Sequence, residues 1–163
     1  MEYNPYLCSI NHYTMTLNFT SAKDSIKNYG DSQLAKSEKN DCVVRAFAAA
    51  FDIEYDRGHA FVAKEFGREF RKGTSRFNST MTKLANDRRK LNYKSIKTIS
   101  SGEIKRGASR MTVGSFVKDY DRGSYIIVIA RHAFTVRDGV VVGGNTADAK
   151  RMRCIVKGAW KVS

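Results

Sequence analysis

The chain has one proline, Pro5, in 163 residues, and only three cysteines and three histidines. So little proline excludes collagen-like and proline-rich linker segments. Cys8, Cys42 and Cys154 are odd in number and form no CxxC pair. They suggest neither a disulfide framework nor a zinc site, and the expectation is free thiols in a reducing compartment, with no metal and no organic cofactor. No apolar run reaches the ~18 residues of a membrane helix, so no membrane span is expected. The opening Met1-Glu2-Tyr3-Asn4-Pro5 lacks the basic and apolar regions of a signal peptide. Acidic residues are also few: 16 Asp and Glu against 29 Lys and Arg leave a net charge of +13. Such an excess attracts polyanions at long range, whether nucleic acid, an anionic membrane surface or an acidic protein.

What the chain does have is apolar residues, 42% of the total, with nine Phe and eight Tyr. That is enough for one folded domain with a real core. Tyr13, Met15, Leu17 and Phe19 alternate with polar residues and predict a half-buried strand over 12–19. The polar stretch 20–39 reads as a connection or loose short helix, giving an N-terminal extension over 1–38 and a main domain over 39–163. Val43, Val44, Phe47, Ala50 and Phe51 then follow helical spacing, with Asn40 or Asp41 as N-cap. Further helices are expected at about 55–70, ending in Arg71-Lys72-Gly73-Thr74, at about 80–92, and after a Thr112 cap. Beyond residue 123 the period changes to strands: 124–130 apolar throughout, then 133–136 and 140–142 around an Asp138-Gly139 turn. One or two more strands fall in 151–156 and 159–162. Helices followed by an antiparallel sheet make an α+β fold.

Within this frame Cys42 opens an apolar helix, where the positive end of the dipole favours a thiolate. His132 follows ninety residues later, where one strand gives way to the next. A thiol nucleophile needs an imidazole to hold its proton and an amide or carboxylate to orient that imidazole. If the hairpin turns at Asp138-Gly139, Asn145 emerges near His132 as the orienting group. Asp148 is the second choice, and Asp138 lies at the far tip. His59, on the apolar stripe of its helix, reads as a buried, satisfied histidine. Lys83, Arg88, Arg89, Lys90 and Lys94, with Tyr93 among them, form a basic segment able to bind phosphates and stack on a base.

The segments Asn40-Asp41-Cys42-Val43-Val44-Arg45-Ala46, Arg71-Lys72-Gly73-Thr74, Gly123-Ser124-Tyr125-Ile126, Arg131-His132-Ala133-Phe134 and Asp138-Gly139-Val140-Val141 together resemble a set of small bacteriophage proteins. Those look like distant relatives of papain-like and bacteriocin-processing (C39-type) cysteine peptidases. The resemblance covers about residues 38–145. It implies a papain-like α+β fold, N-terminal helices on a C-terminal antiparallel sheet, and a phage or similar mobile element as source. Cys42 matches the nucleophile, His132 the general base and Asn145 the orienting residue. Where the peptidases carry a glutamine six residues before the cysteine, this chain has Lys36, leaving Asn40 or a backbone N–H for the oxyanion. Losing one oxyanion donor costs on the order of 10²–10³ in rate.

The expected function is thus a cysteine-dependent hydrolase of peptide or isopeptide bonds, acting on a protein or peptide substrate. The alternative is a catalytically inactive papain-like scaffold, a basic virion component or a protein binding nucleic acid or a host factor. Host cytoplasm or virion is the expected location.

Overall fold

The change of period at residue 123 marks the centre of the molecule. The computed structural model describes residues 17–88, 90–144, 148 and 150–163. Its strands are β1 (Phe19–Ser21), β2 (Lys90–Leu91), β3 (Lys94–Ile99), β4 (Lys105–Arg106), β5 (Ser109–Arg110), β6 (Ser124–Ile129), β7 (His132–Arg137), β8 (Val140–Gly144) and β9 (Gly158–Val162). Its helices are α1 (Ala22–Ser25), α2 (Gln33–Ser37), α3 (Cys42–Phe51), α4 (Tyr55–Phe66), α5 (Phe77–Asn86) and α6 (Val113–Asp119). The fold is mixed α+β. A seven-stranded sheet runs in the order β1-β8-β7-β6-β9-β3-β2, and β4 and β5 form a separate hairpin. Every pairing in the large sheet is antiparallel except β1 with β8, which is parallel.

The sheet is covered on both faces. On one, α3, α4 and α5 bury Val44, Phe47, Phe51, Val62 and Met81 against Ile126, Trp160 and Val162. On the other, α6 brings Val113 and Phe116 against Tyr125, Ile127, Phe134 and Val136. This double cover explains why β6 is apolar at nearly every position: Ile126 faces one core and Ile127 the other. Asp138 and Gly139, with φ of 48° and 76°, make the two-residue turn joining β7 to β8. Thr112 caps α6, its side chain accepting from the Ser115 N–H at 3.2 Å.

Other expectations need correction. Helix α4 stops at Phe66 because Gly67 turns left-handed (φ 61°), well short of residue 70. The basic helix expected at about 80–92 runs instead from Phe77 to Asn86. Residues 90–99 then form the β2–β3 hairpin. Ile96 and Ile99 of β3 lie three apart because they serve opposite cores, which hides the period of two. Within 151–156 the chain makes only an isolated bridge, Ile155 to Thr112, while β9 occupies 158–162. Much of the strand expected over 12–19 lies outside the described residues. Phe19–Ser21 pairs with β8, and Leu17, Ala22 and Ile26 are buried. Residues 17–38 therefore pack into the domain instead of standing apart as an extension.

Candidate active site

The loop before α3 is anchored by a buried carboxylate. Glu38 takes the Arg68 guanidinium at 2.7 Å, His59 Nε2 at 2.6 Å and the Arg71 N–H at 2.5 Å. Burial opposes its ionisation, but Arg68, His59 and the N–H groups of Arg71 and Lys39 outweigh this and hold the carboxyl at about 2. Arg68 also donates to the Lys39 carbonyl at 3.1 Å, and Asn40 Nδ2 to the Arg71 carbonyl at 3.3 Å. The role of His59 is thus to pair with Glu38. Asn40, at φ 54°, bends the chain so that Cys42 starts α3.

Asp41 stands at the N-cap position without capping. Its Oδ1 accepts from Arg45 Nε at 3.1 Å and its Oδ2 from the Tyr55 hydroxyl at 2.9 Å. The first bond of the helix runs from the Arg45 N–H to the Asp41 carbonyl. The leading N–H groups of α3 are therefore left uncapped by that side chain, at the positive end of the helix dipole.

His132 opens β7 across a two-residue connection from Ile129, closed by Arg131 in the left-handed region (φ 58°). Two bonds fix β7 against α3: the Thr135 hydroxyl donates to the Ala46 carbonyl at 2.6 Å, and Arg137 to the Ala49 carbonyl. They bring the imidazole to the half-buried Cys42, and both side chains line one cleft. His132 Nε2 meets Asp148 Oδ1 at 2.5 Å, leaving Nδ1 as the ring nitrogen for the sulfur. Asp148 is 1% exposed in its side chain, and Arg151 Nε lies 3.4 Å from its Oδ1. Of the two candidates for the orienting role, Asp148 thus reaches His132, while Asn145 lies outside the described residues.

The charges reinforce one another. Burial pushes the Cys42 thiol up, but the hydrogen bond and charge of His132, the Ala133 N–H and the Arg45 guanidinium bring it below its ordinary value. Burial likewise lowers His132, but Asp148 and Cys42 raise it to about 8. The two shifts are opposite in sign and each residue is a cause of the other's, so Cys42 and His132 titrate as a couple. The couple opens onto a cleft of about 640 Å³, lined by Asn40, Gly73, Thr74, Phe77, Val128, Ile129 and Arg131.

The remaining sequence candidates lie elsewhere. Lys36 is exposed and points its Nζ at the Asp31 carbonyl, 3.5 Å away. Lys83 and Arg88 are exposed around the end of α5, and Lys90 on β2; Arg89 lies outside the described residues. Lys94 donates to the Ala50 carbonyl at 3.4 Å. Cys154 is disulfide-bonded and so departs from the expected free thiols. Among the described residues no group of three His, Cys, Asp or Glu side chains is placed to hold a metal ion. No described helix is long and apolar enough to cross a membrane. In comparisons with known proteins, the chain matches no family model, no curated protein and no solved structure.

Proposed function

We propose that this chain is a cysteine-dependent hydrolase of peptide or isopeptide bonds, of papain-like architecture and encoded by a phage or similar element. The observation that carries the reading is the contact chain Cys42–His132–Asp148 at the mouth of an uncapped helix and the wall of a cleft. The Cys42 thiolate attacks the substrate carbonyl carbon, and the oxyanion forms beside the first N–H groups of α3. His132, as imidazolium, gives its proton to the leaving amine as the C–N bond breaks. Water then attacks the thioester, and His132 takes one of its protons. Collapse releases the acid and restores the thiolate, while Asp148 holds the ring in orientation throughout. Asn40 has a second amide hydrogen beyond the one given to Arg71 and is the side chain nearest in chemistry to an oxyanion donor.

The test is the rate of Cys42 alkylation by iodoacetamide from pH 4 to 9, in wild type and His132→Ala, followed by trapping with peptidyl vinyl sulfones. Reactivity already present near pH 5–6 and lost without His132 is the expected result. Labelling only above about pH 8, alike in both proteins, would overturn the reading. Because Lys36 supplies no cleft donor, that second outcome would leave an inactive scaffold used for binding.

A further inference from the structure

The turn between β2 and β3 consists of Asn92 and Tyr93, both left-handed, with φ of 54° and 62°. Glycine is the usual second residue of such a turn, and a bulky side chain there costs roughly 1–2 kcal/mol. This chain places a tyrosine there and leaves it 95% exposed. The turn is well anchored: Asn92 Nδ2 donates to the Phe51 carbonyl at 2.9 Å, and Lys94 holds the Ala50 carbonyl. A strained backbone therefore holds an aromatic ring out in water.

The strand register sets a row of charge on the strands that run from this turn. Lys90 pairs with Ser95, and Lys97, two residues on, pairs with Lys161. Directly opposed residues share a face, as do residues two apart, so Lys90, Lys97 and Lys161 cross three strands on one side of the sheet. Like charges set directly opposite are destabilising, with Cβ atoms about 5 Å apart. None of the three makes an ion pair among the described residues. The nearby carboxylate, Glu103, accepts from the Ser100 N–H at 2.8 Å and feels the charge of Lys97 without forming an ion pair with it. Arg88, exposed, leads into β2.

We infer that this edge of the sheet binds single-stranded nucleic acid, with Tyr93 stacking on a base and Lys90, Lys97 and Lys161 receiving the phosphates. A ring fixed in the open on the sheet that carries a repulsive row of cations fits a ligand with both a flat face and a charged backbone, and a single strand has both. The edge is built from different residues than the thiol cleft, and the inference does not depend on hydrolysis.

The test is fluorescence anisotropy of a labelled dT₁₂ oligonucleotide with the full chain, in 50 to 200 mM salt. Tyr93→Phe should bind as wild type, and Tyr93→Ala should weaken binding about 5- to 150-fold. Lys97→Ala combined with Lys161→Ala should flatten the salt dependence, by about 0.7 in log–log slope for each phosphate no longer neutralised. Removing opposed charges relieves repulsion, so these variants should fold, which thermal melting checks. Heparin and duplex DNA are the controls. No binding at 50 mM salt, equal binding by Tyr93→Ala, or heparin binding that falls in parallel with Tyr93→Ala would overturn the inference. The first two outcomes deny the stacking site, and the third reassigns the edge to polyanions at large.

Discussion

At the scale of single residues, His132 ties the site together because it faces a sulfur with one nitrogen and a buried carboxylate with the other. The sign of its pH dependence follows from the shifts. Cys42 is lowered, and His132 keeps its proton up to about 8, which sets the alkaline limit of a thiolate–imidazolium window. Asp148→Asn removes a cause of the upward shift, so His132 should titrate closer to its ordinary 6.5 and the window should close from the alkaline side. An NMR titration of His132 would register this directly. Arg45→Met removes a cation that lowers Cys42, so the onset of alkylation should move to higher pH with the imidazole still in place. Glu38 is depressed in the folded state, so its contribution to stability is full above about 4.5 and fades as pH falls toward 2. Glu38→Gln should cost about 3–5 kcal/mol near neutrality by stranding buried Arg68, with the difference from wild type shrinking in acid melts.

At the scale of elements, α3 and the end of β8 determine whether the residues meet. A Cβ at Gly144 would stand 2.6 Å from Asp148 Oδ2, and one at Gly143 would stand 2.9 Å from the Ala49 side chain. Gly144→Ala should therefore push Asp148 off His132 and reproduce the lowered His132 titration expected of Asp148→Asn, without touching any reacting atom. Thr135→Val keeps the shape of β7 and deletes its bond to the Ala46 carbonyl. A loss of about 1–3 kcal/mol in chemical denaturation is expected. At this scale much was legible in the sequence. The spacing from Val43 to Phe51 marks α3, Thr112 marks the start of α6, and Asp138-Gly139 marks the β7–β8 turn. The Glu38 anchor was not legible, since its partners His59, Arg68 and Arg71 are 21 to 33 residues away in sequence. Nor was the use of Asp41 against Arg45 and Tyr55, because a residue in a capping position looks the same whether or not its side chain caps. Asp148 ranks second to Asn145 in the sequence because hairpin counting predicts where the strand ends, not how the chain turns back afterwards.

At the scale of the whole molecule, one sheet carries two cores, and the strand that hides best from periodicity, β3, contributes Ile96 to one and Ile99 to the other. Phe47 sits fully buried against Phe51, Phe61 and Phe66 at ring separations of 5.3 to 5.5 Å. Phe47→Ala should cost about 3–5 kcal/mol in denaturant unfolding. The helix-side core would lose the packing that holds α3 to the sheet, and Cys42 would lose its alignment with His132.

Cys42 and His132 belong to opposite ends of the folding problem. The first lies on a local helix, and the second on a strand that pairs only after the later half of the chain exists. A chain emerging from the ribosome thus presents an ordinary thiol until β7 docks on α3. On the function proposed above, reactivity arrives only with tertiary structure, and the unfinished chain carries an unactivated thiol.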